Sequence, residues 1–259
     1  MNVKVIISTM NLKDWKILIE RMNVQTDCIV VNQTNYNKIE DYKFGDISVK
    51  VVSVNEKGLS RSRNLGLSLI DKNIDFVYFA DDDIKISNNS LKKITNKNID
   101  FYVFSCVVDG NIKKPKYNIN FINSMKLSSI QIVYNVKFLK EKNIKFDNRF
   151  GSGTRFGSGE ENIIIFDMLR ENAKSLSFDD IIANTENLRP STWFKGFNEE
   201  FLFNRGAIFT RMSKKYSILL ILQFSIRKYK LYKKENIGFF RALKAMLNGR
   251  KYFLELDNE

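Results

Sequence analysis

Three consecutive carboxylates, Asp81-Asp82-Asp83, follow directly on the apolar run Phe76-Val77-Tyr78-Phe79-Ala80. Such a run reads as a buried strand, so three like charges converge at its end. Repulsion and lost solvation make that costly unless a positive partner is present. A divalent cation carrying a diphosphate is the simplest partner, because hard oxygen ligands suit Mg2+ or Mn2+. The plainer alternative is a solvated turn in which an aspartate caps the element beginning at Ile84. A second pair of acids, Glu160-Glu161, closes the glycine-rich loop Phe150-Gly151-Ser152-Gly153-Thr154-Arg155-Phe156-Gly157-Ser158-Gly159. The stretch 163–169 after it is apolar and helix-compatible. That places both acids at a helix N-terminus, where the dipole favours the ionised form. Ordinary capping by acids in a first turn is the alternative there. The chain has no histidine, which removes Ser-His-Asp triads and His-type zinc sites together. A carboxylate is then the most available general base, and Glu160 and Glu161 are the best-placed candidates.

The elements that must position these groups alternate along the first half of the chain. Residues 3–8 read as a strand, 13–22 as an amphipathic helix, 28–32 and 49–54 as strands. Residues 60–70 read as a helix, with Ser60 as its N-cap after the turn-forming Gly58. Residues 76–80 and 101–108 complete five strands. This βαβαβ rhythm predicts an α/β fold with a Rossmann-like, mostly parallel central sheet, which binds ligands beyond the carboxyl ends of its strands. The acidic triplet lies at such an end.

A chain of 259 residues accommodates one α/β domain and an appendage. No stretch reaches the ~20 apolar residues of a membrane span. The N-terminus enters a strand pattern without the charge and cleavage layout of a signal peptide, which predicts a cytoplasmic chain. Cys28 and Cys106 each lie inside apolar runs and read as small buried hydrophobes. The net charge of +13 is concentrated: from Arg205 to Lys251 there are thirteen bases and one acid, Glu235, or +12 of the total. The expected division is a catalytic domain over residues 1–206 and a basic, amphipathic helical tail over 207–259.

Taken together, the opening strand Val5-Ile6-Ile7-Ser8-Thr9, the segment Gly58-Leu59-Ser60-Arg61-Ser62-Arg63-Asn64-Leu65-Gly66, the strand ending in Asp81-Asp82-Asp83, and Gly159-Glu160-Glu161 resemble a family 2 inverting glycosyltransferase of the GT-A fold. The resemblance spans about residues 3–210. Its specificity lies in the pairing of Gly58–Asn64 with the acidic strand end about twenty residues later. Arg189-Pro190-Ser191-Thr192-Trp193 and Asn204-Arg205-Gly206-Ala207 resemble, more loosely, the family's closing loop and the helix after it.

The resemblance implies a nucleoside-diphosphate sugar donor, UDP-linked, and a role in bacterial surface-polysaccharide biosynthesis. It implies that Thr9, with Asn32 or Gln33, approaches the nucleobase. Arg63 matches its nucleotide-contacting arginine, with Arg61 as the alternative. Asp81 would serve the ribose or support the site and share the cation, Asp83 would bind the Mn2+ or Mg2+ that bridges the diphosphate, and Asp82, counted with the nucleotide-binding residues, is left without a role of its own. Glu161 aligns with the catalytic base and Glu160 with an acidic neighbour near the acceptor; which of the pair is the base stays open. The family often draws a further metal ligand, commonly histidine, from its closing loop, and here Glu186 or water would substitute. Trp193 would stack on the acceptor sugar, or else lie in the core.

In the tail, residues 216–226 are mostly apolar and flanked by Lys214-Lys215 and Arg227-Lys228. Phe239, Phe240, Leu243, Met246 and Leu247 give a second helical stripe beside Arg241 and Lys244. These are the features of helices lying on an anionic membrane surface through residues 213–251, at the inner face of the cell membrane, where a lipid-linked oligosaccharide acceptor is found. The alternative is packing on the catalytic domain or in a homodimer. Two other classes fit less well. A sugar-phosphate nucleotidyltransferase would show a glycine-rich basic signature after the first strand, where Ser8-Thr9-Met10-Asn11 stands. Nucleic-acid binding would use the aromatics Tyr229, Tyr232, Phe239 and Phe240 among the bases, but it leaves the acidic triplet unexplained, so no nucleic-acid partner is expected.

Overall fold

The computed structural model describes residues 1–186, 194 and 196–257. In chain order the elements are β1 (Val3–Met10), α1 (Trp15–Arg21), β2 (Cys28–Gln33), β3 (Lys38–Phe44), β4 (Ile47–Val54), α2 (Leu59–Ser68), β5 (Phe76–Asp81), β6 (Ile84–Ile86), α3 (Asn88–Leu91), β7 (Phe101–Val108), β8 (Asn111–Lys113), α4 (Phe121–Ser124), β9 (Ile132–Asn135), α5 (Val136–Glu141), α6 (Glu160–Arg170), β10 (Ser175–Thr185), α7 (Glu199–Met212), α8 (Ser217–Arg227), α9 (Tyr229–Lys233) and α10 (Phe239–Leu256).

One sheet runs in the order β3-β4-β2-β1-β5-β9-β7-β10-β6, with β8 paired to β7. Its centre is the parallel block β4-β2-β1-β5. These strands are covered on both faces, which is why their sequences read as near-continuous apolar runs. One face packs Val5, Ile7, Val30, Tyr78 and Ala80 against α1. The other packs Ile6, Ile29, Val77 and Phe79 beneath α2 and α6. The sequence did not announce β3, an antiparallel edge strand of alternating charged and apolar residues joined to β4 through Gly45-Asp46. Charged side chains suit such an edge, because they discourage pairing with another chain.

Helix α2 begins one residue before the expected Ser60, with Gly58 as its N-cap. The Ser60 hydroxyl instead donates to the Phe150 carbonyl at 2.6 Å. That bond, with Leu59 N–H to the Ser152 carbonyl at 2.9 Å, ties the start of α2 to the glycine-rich loop. Cys28 and Cys106 are buried and free. Burial pushes their thiols up, to about 12 and about 11.

The expected boundary at residue 206 falls inside α7. A third core cluster joins Phe150 and Phe156 of the glycine-rich loop, Leu202 and Ile208 of α7, Ile221 of α8, and Met246 and Phe253 of α10. Helices α7 and α10 cross where glycines remove the side chains. A Cβ at Gly206 would lie 1.9 Å from the Met246 carbonyl oxygen, and one at Gly249 would lie 1.9 Å from that of Phe203. Several tail bases are spent on this attachment. Arg211 bridges Asp147 and Asp167, both at 2.8 Å, and Lys214 reaches Asp257 at 2.7 Å. The basic tail is therefore packed against the sheet domain through α7, and no helix among the described residues is long and apolar enough to cross a membrane.

Candidate active site

The parallel register sets the chemistry at one end of the sheet. Ser8 pairs with Asp81 and Thr9 with Asn32, so the ends of β1, β2 and β5 lie side by side. Strand β5 is buried from Phe76 to Ala80 and ends at Asp81, and Asp82-Asp83 form the turn into β6. The Thr9 hydroxyl donates to Asp82 Oδ2 at 2.6 Å, and Arg21 Nη2 donates to the Asp82 carbonyl at 2.5 Å. Asp82, the acid without a role in the sequence, thus pins the turn to β1 and α1. The two amides at the end of β2 are also engaged by the protein. Asn32 accepts from Leu12 N–H and donates to the Ser53 hydroxyl, while Gln33 Oε1 accepts from Gly58 N–H at 2.7 Å. The bond from Gly58 to Gln33 fixes the loop entering α2.

Arg63 lies at the centre of the site. It is 1% exposed, whereas Arg61 is solvated and paired with Glu56; residues two apart on a helix face different sides. Arg63 Nη2 donates to Asp81 Oδ1 at 3.0 Å and Nη1 to Glu160 Oε1 at 3.1 Å. Its guanidinium also stacks 5.3 Å from the Phe146 ring centre. Burial pulls the pKa of Arg63 down, but Asp81 and Glu160 outweigh it and hold the value above the ordinary one. A buried arginine clamped by two carboxylates orients them.

The glycine-rich loop delivers Glu160 and Glu161 into the first turn of α6. Gly159, its N-cap, has φ 94°, and a Cβ there would lie 2.8 Å from the Ile208 side chain. Only glycine combines that left-handed turn with such close approach to α7. The two acids then diverge. Glu160 is buried at 6% exposure and held by Arg63, whereas Glu161 is half-buried. Burial, reinforced by the charge of Glu161, outweighs the pull of Arg63 and pushes the Glu160 carboxyl up to about 8. Arg205, on α7, is a second enclosed guanidinium. It sits over the Phe201 ring at 4.9 Å, and burial lowers its pKa against the opposing pull of Glu161 and Glu160. The sequence placed Arg205 in a loosely matched helix and gave no sign that it faces the acids. Beside the loop, a cavity of about 150 Å3 is lined by Ser152, Thr154, Ser158, Asn198, Phe201 and Asn204. Its only sequence signal was the Ser/Thr/Gly content of the loop.

Among the described residues no three Asp, Glu, Cys or His side chains are grouped as a metal cage. Mg2+ and Mn2+ at phosphate sites use one or two carboxylates and complete their shell with phosphate oxygens and water. Asp81, whose side chain is 34% exposed, and Asp83 in the adjoining turn fit that smaller requirement. The backbone N–H of Glu186 donates to the Asp83 carbonyl at 2.7 Å, which brings the segment after β10 alongside the acidic turn. Trp193 and the expected closing-loop residues 189–192 lie outside the described residues.

No protein-family model and no curated protein matches the chain. Solved structures do. A crystal structure of S. aureus TarS superposes with a TM-score of 0.61 at 16% identity, covering 96% of this chain and 81% of that one. The catalytic domain of Drosophila beta1,4-galactosyltransferase 7, in complex with xylobiose, gives a TM-score of 0.42 at 9% identity over 74% of this chain and 78% of that one. A variant of the same enzyme in complex with manganese, UDP-Gal and xylobiose gives 0.36 at 12% identity over 73% and 67%. The fold is of the GT-A type found in glycosyltransferases, with a mostly parallel central sheet and a C-terminal helical extension.

Proposed function

We propose that this protein is a metal-dependent, inverting glycosyltransferase. It would move a sugar from a nucleoside-diphosphate donor, UDP-linked, to a hydroxyl of a saccharide or lipid-linked oligosaccharide in surface-polysaccharide assembly. The observation that carries the reading is the clamp in which Arg63 joins Asp81, at the end of β5, to Glu160, at the start of α6. Residues 97 positions apart thereby meet at the carboxyl end of the parallel strands, where open α/β sheets bind their ligands.

In this reading Asp81 and Asp83 face the donor diphosphate. Bound there, Mn2+ or Mg2+ supplies neutralisation of the negative charge on the leaving nucleoside diphosphate. Thr9 and Arg21 hold the acidic turn through Asp82, so that Asp83 stays where the diphosphate arrives. Arg63 fixes the spacing between the donor side and the base side. Glu161, half-buried in the first turn of α6, takes the proton of the acceptor hydroxyl as that oxygen bonds to the anomeric carbon. The bond from that carbon to the diphosphate oxygen breaks in the same in-line step, and the configuration inverts. Glu160 is the neighbour that shapes the site from below, clamped to Arg63 with its carboxyl pushed up. Its burial favours Glu161 as the base, because a base must reach the acceptor.

The test separates binding from turnover. Glu161→Gln is expected to bind UDP and metal normally and to release no UDP from a UDP-sugar above background. Near-normal turnover by Glu161→Gln would remove the base assignment.

A further inference from the structure

Helix α8 is apolar on two opposite faces. One face, with Ile221 and Phe224, is buried in the third core cluster. The other carries Ile218, Leu219, Leu222 and Ile226, exposed at 47, 62, 38 and 69%. At ~100° per residue these four fall within one arc of about 100°, a continuous stripe ~12 Å long. No described residue covers it. The stripe is framed by bases: Lys215 before it, and Arg227, Lys228, Lys230, Lys233 and Lys234 after it, none with an ion-pair partner among the described residues. Between residues 214 and 234 there is no acid. Tyr216, 52% exposed, stands at the stripe's leading end.

We propose that α8 is a docking face for an anionic lipid surface. Its outer stripe enters the headgroup boundary, and the bases on either side meet lipid phosphates. Charge selects this occupant. A second copy pairing through the same stripe would set unpaired bases against bases at both ends, since no acid lies within reach along the segment. An anionic bilayer offers apolar depth under the stripe and negative charge around it. The helix has eleven residues, ~16 Å at 1.5 Å per residue, so it lies on the surface and does not span it. Because its inner face is locked to α7 and α10 through Ile221, Phe224 and the Arg250 bond to Ser217 at 3.0 Å, the helix would dock as part of a rigid body and needs no refolding. This inference goes beyond the glycosyl-transfer reading and is independent of it.

The test uses the full chain in flotation with phosphatidylcholine vesicles, alone or carrying about one third phosphatidylglycerol. The protein is expected to float with the anionic vesicles only, and to float less as salt rises from ~0.1 to ~0.5 M. Leu219→Asp/Ile226→Asp alters two exposed positions and is expected to reduce the bound fraction at least tenfold. Its far-UV circular dichroism and UDP binding are expected to match the parent, which separates loss of docking from misfolding. Lys228→Glu/Lys230→Glu is expected to weaken anionic binding in the same assay. The proposal is overturned if the parent does not float, or if the Leu219→Asp/Ile226→Asp variant floats like it. It is equally overturned if sedimentation equilibrium finds a dimer that the same variant converts to monomer, since the stripe would then be a subunit interface. UDP binding without flotation would leave the transferase reading standing alone, and flotation without UDP binding would do the reverse.

Discussion

Arg63→Met removes the guanidinium that joins the two halves of the site while keeping an unbranched, largely apolar side chain over Phe146. Two buried charge-assisted bonds are lost, to Asp81 at 3.0 Å and to Glu160 at 3.1 Å. Deleting one partner of a buried ion pair costs about 3 to 5 kcal/mol. Near pH 6 the low end applies, for two reasons visible in the site. The Asp81 side chain is 34% exposed and can be resolvated. The Glu160 carboxyl, pushed up to about 8, carries a proton there and leaves no buried charge behind. In the variant the charge that holds the Glu160 carboxyl down is gone and its pKa rises further, so above about pH 8 the parent gains a carboxylate paired with Arg63 that the variant cannot form, and the cost is expected to grow with pH. Against a total stability of about 5 to 15 kcal/mol for such a domain, that cost is a large fraction. Urea unfolding followed by circular dichroism near pH 6 and pH 9, with the slope of the transition held as a check, measures it. A cost below ~1 kcal/mol at both pH values, or one that shrinks at the higher pH, would refute the clamp.

Glu160→Gln is expected to flatten the pH dependence of stability. The folded-state pKa lies above the ordinary carboxylate value, so between about pH 4.5 and 8 the native state holds a proton that the unfolded chain has released. Stability then falls as pH rises through that window, by up to ~1.4 kcal/mol per unit, and an unchanged slope in the variant would contradict this. Gly249→Ala places a methyl 1.9 Å from the Phe203 carbonyl oxygen; it is expected to cost about 2 to 3 kcal/mol in thermal or urea unfolding, by pushing α10 off α7. Thr9→Val leaves Asp82 Oδ2 without its 2.6 Å donor and is expected to cost about 1 to 3 kcal/mol in the same measurement.

Much of this arrangement was legible in the sequence because it is local. The strands of the parallel block are continuous apolar runs, and a run that ends in three acids marks a strand end wherever it folds. The apolar stretch 216–226 and the helical stripe from Phe239 to Leu247 were readable for the same reason, as local pattern. What was not legible is what depends on distant partners. Glu160 meets Arg63 across 97 residues, and no local pattern announces that pairing. The role of Asp82 required the β1–β5 register, which brings Thr9 beside it. Ser60 looked like a helix cap, but the backbone had already turned at Gly58, with φ 124°, and left the hydroxyl for Phe150. The tail read as a separate body because its charge is separate; that Gly206 and Gly249 let α10 close on α7 shows only once the helices cross.

The central claim, that the acidic strand end and its clamp form a nucleotide-sugar site, is tested most directly by calorimetric titration of UDP with and without Mn2+. Binding is expected to require the metal, to be abolished by Asp83→Ala and to be left intact by Glu161→Gln. The absence of UDP binding in the presence of either Mn2+ or Mg2+, or binding that Asp83→Ala does not change, would contradict it.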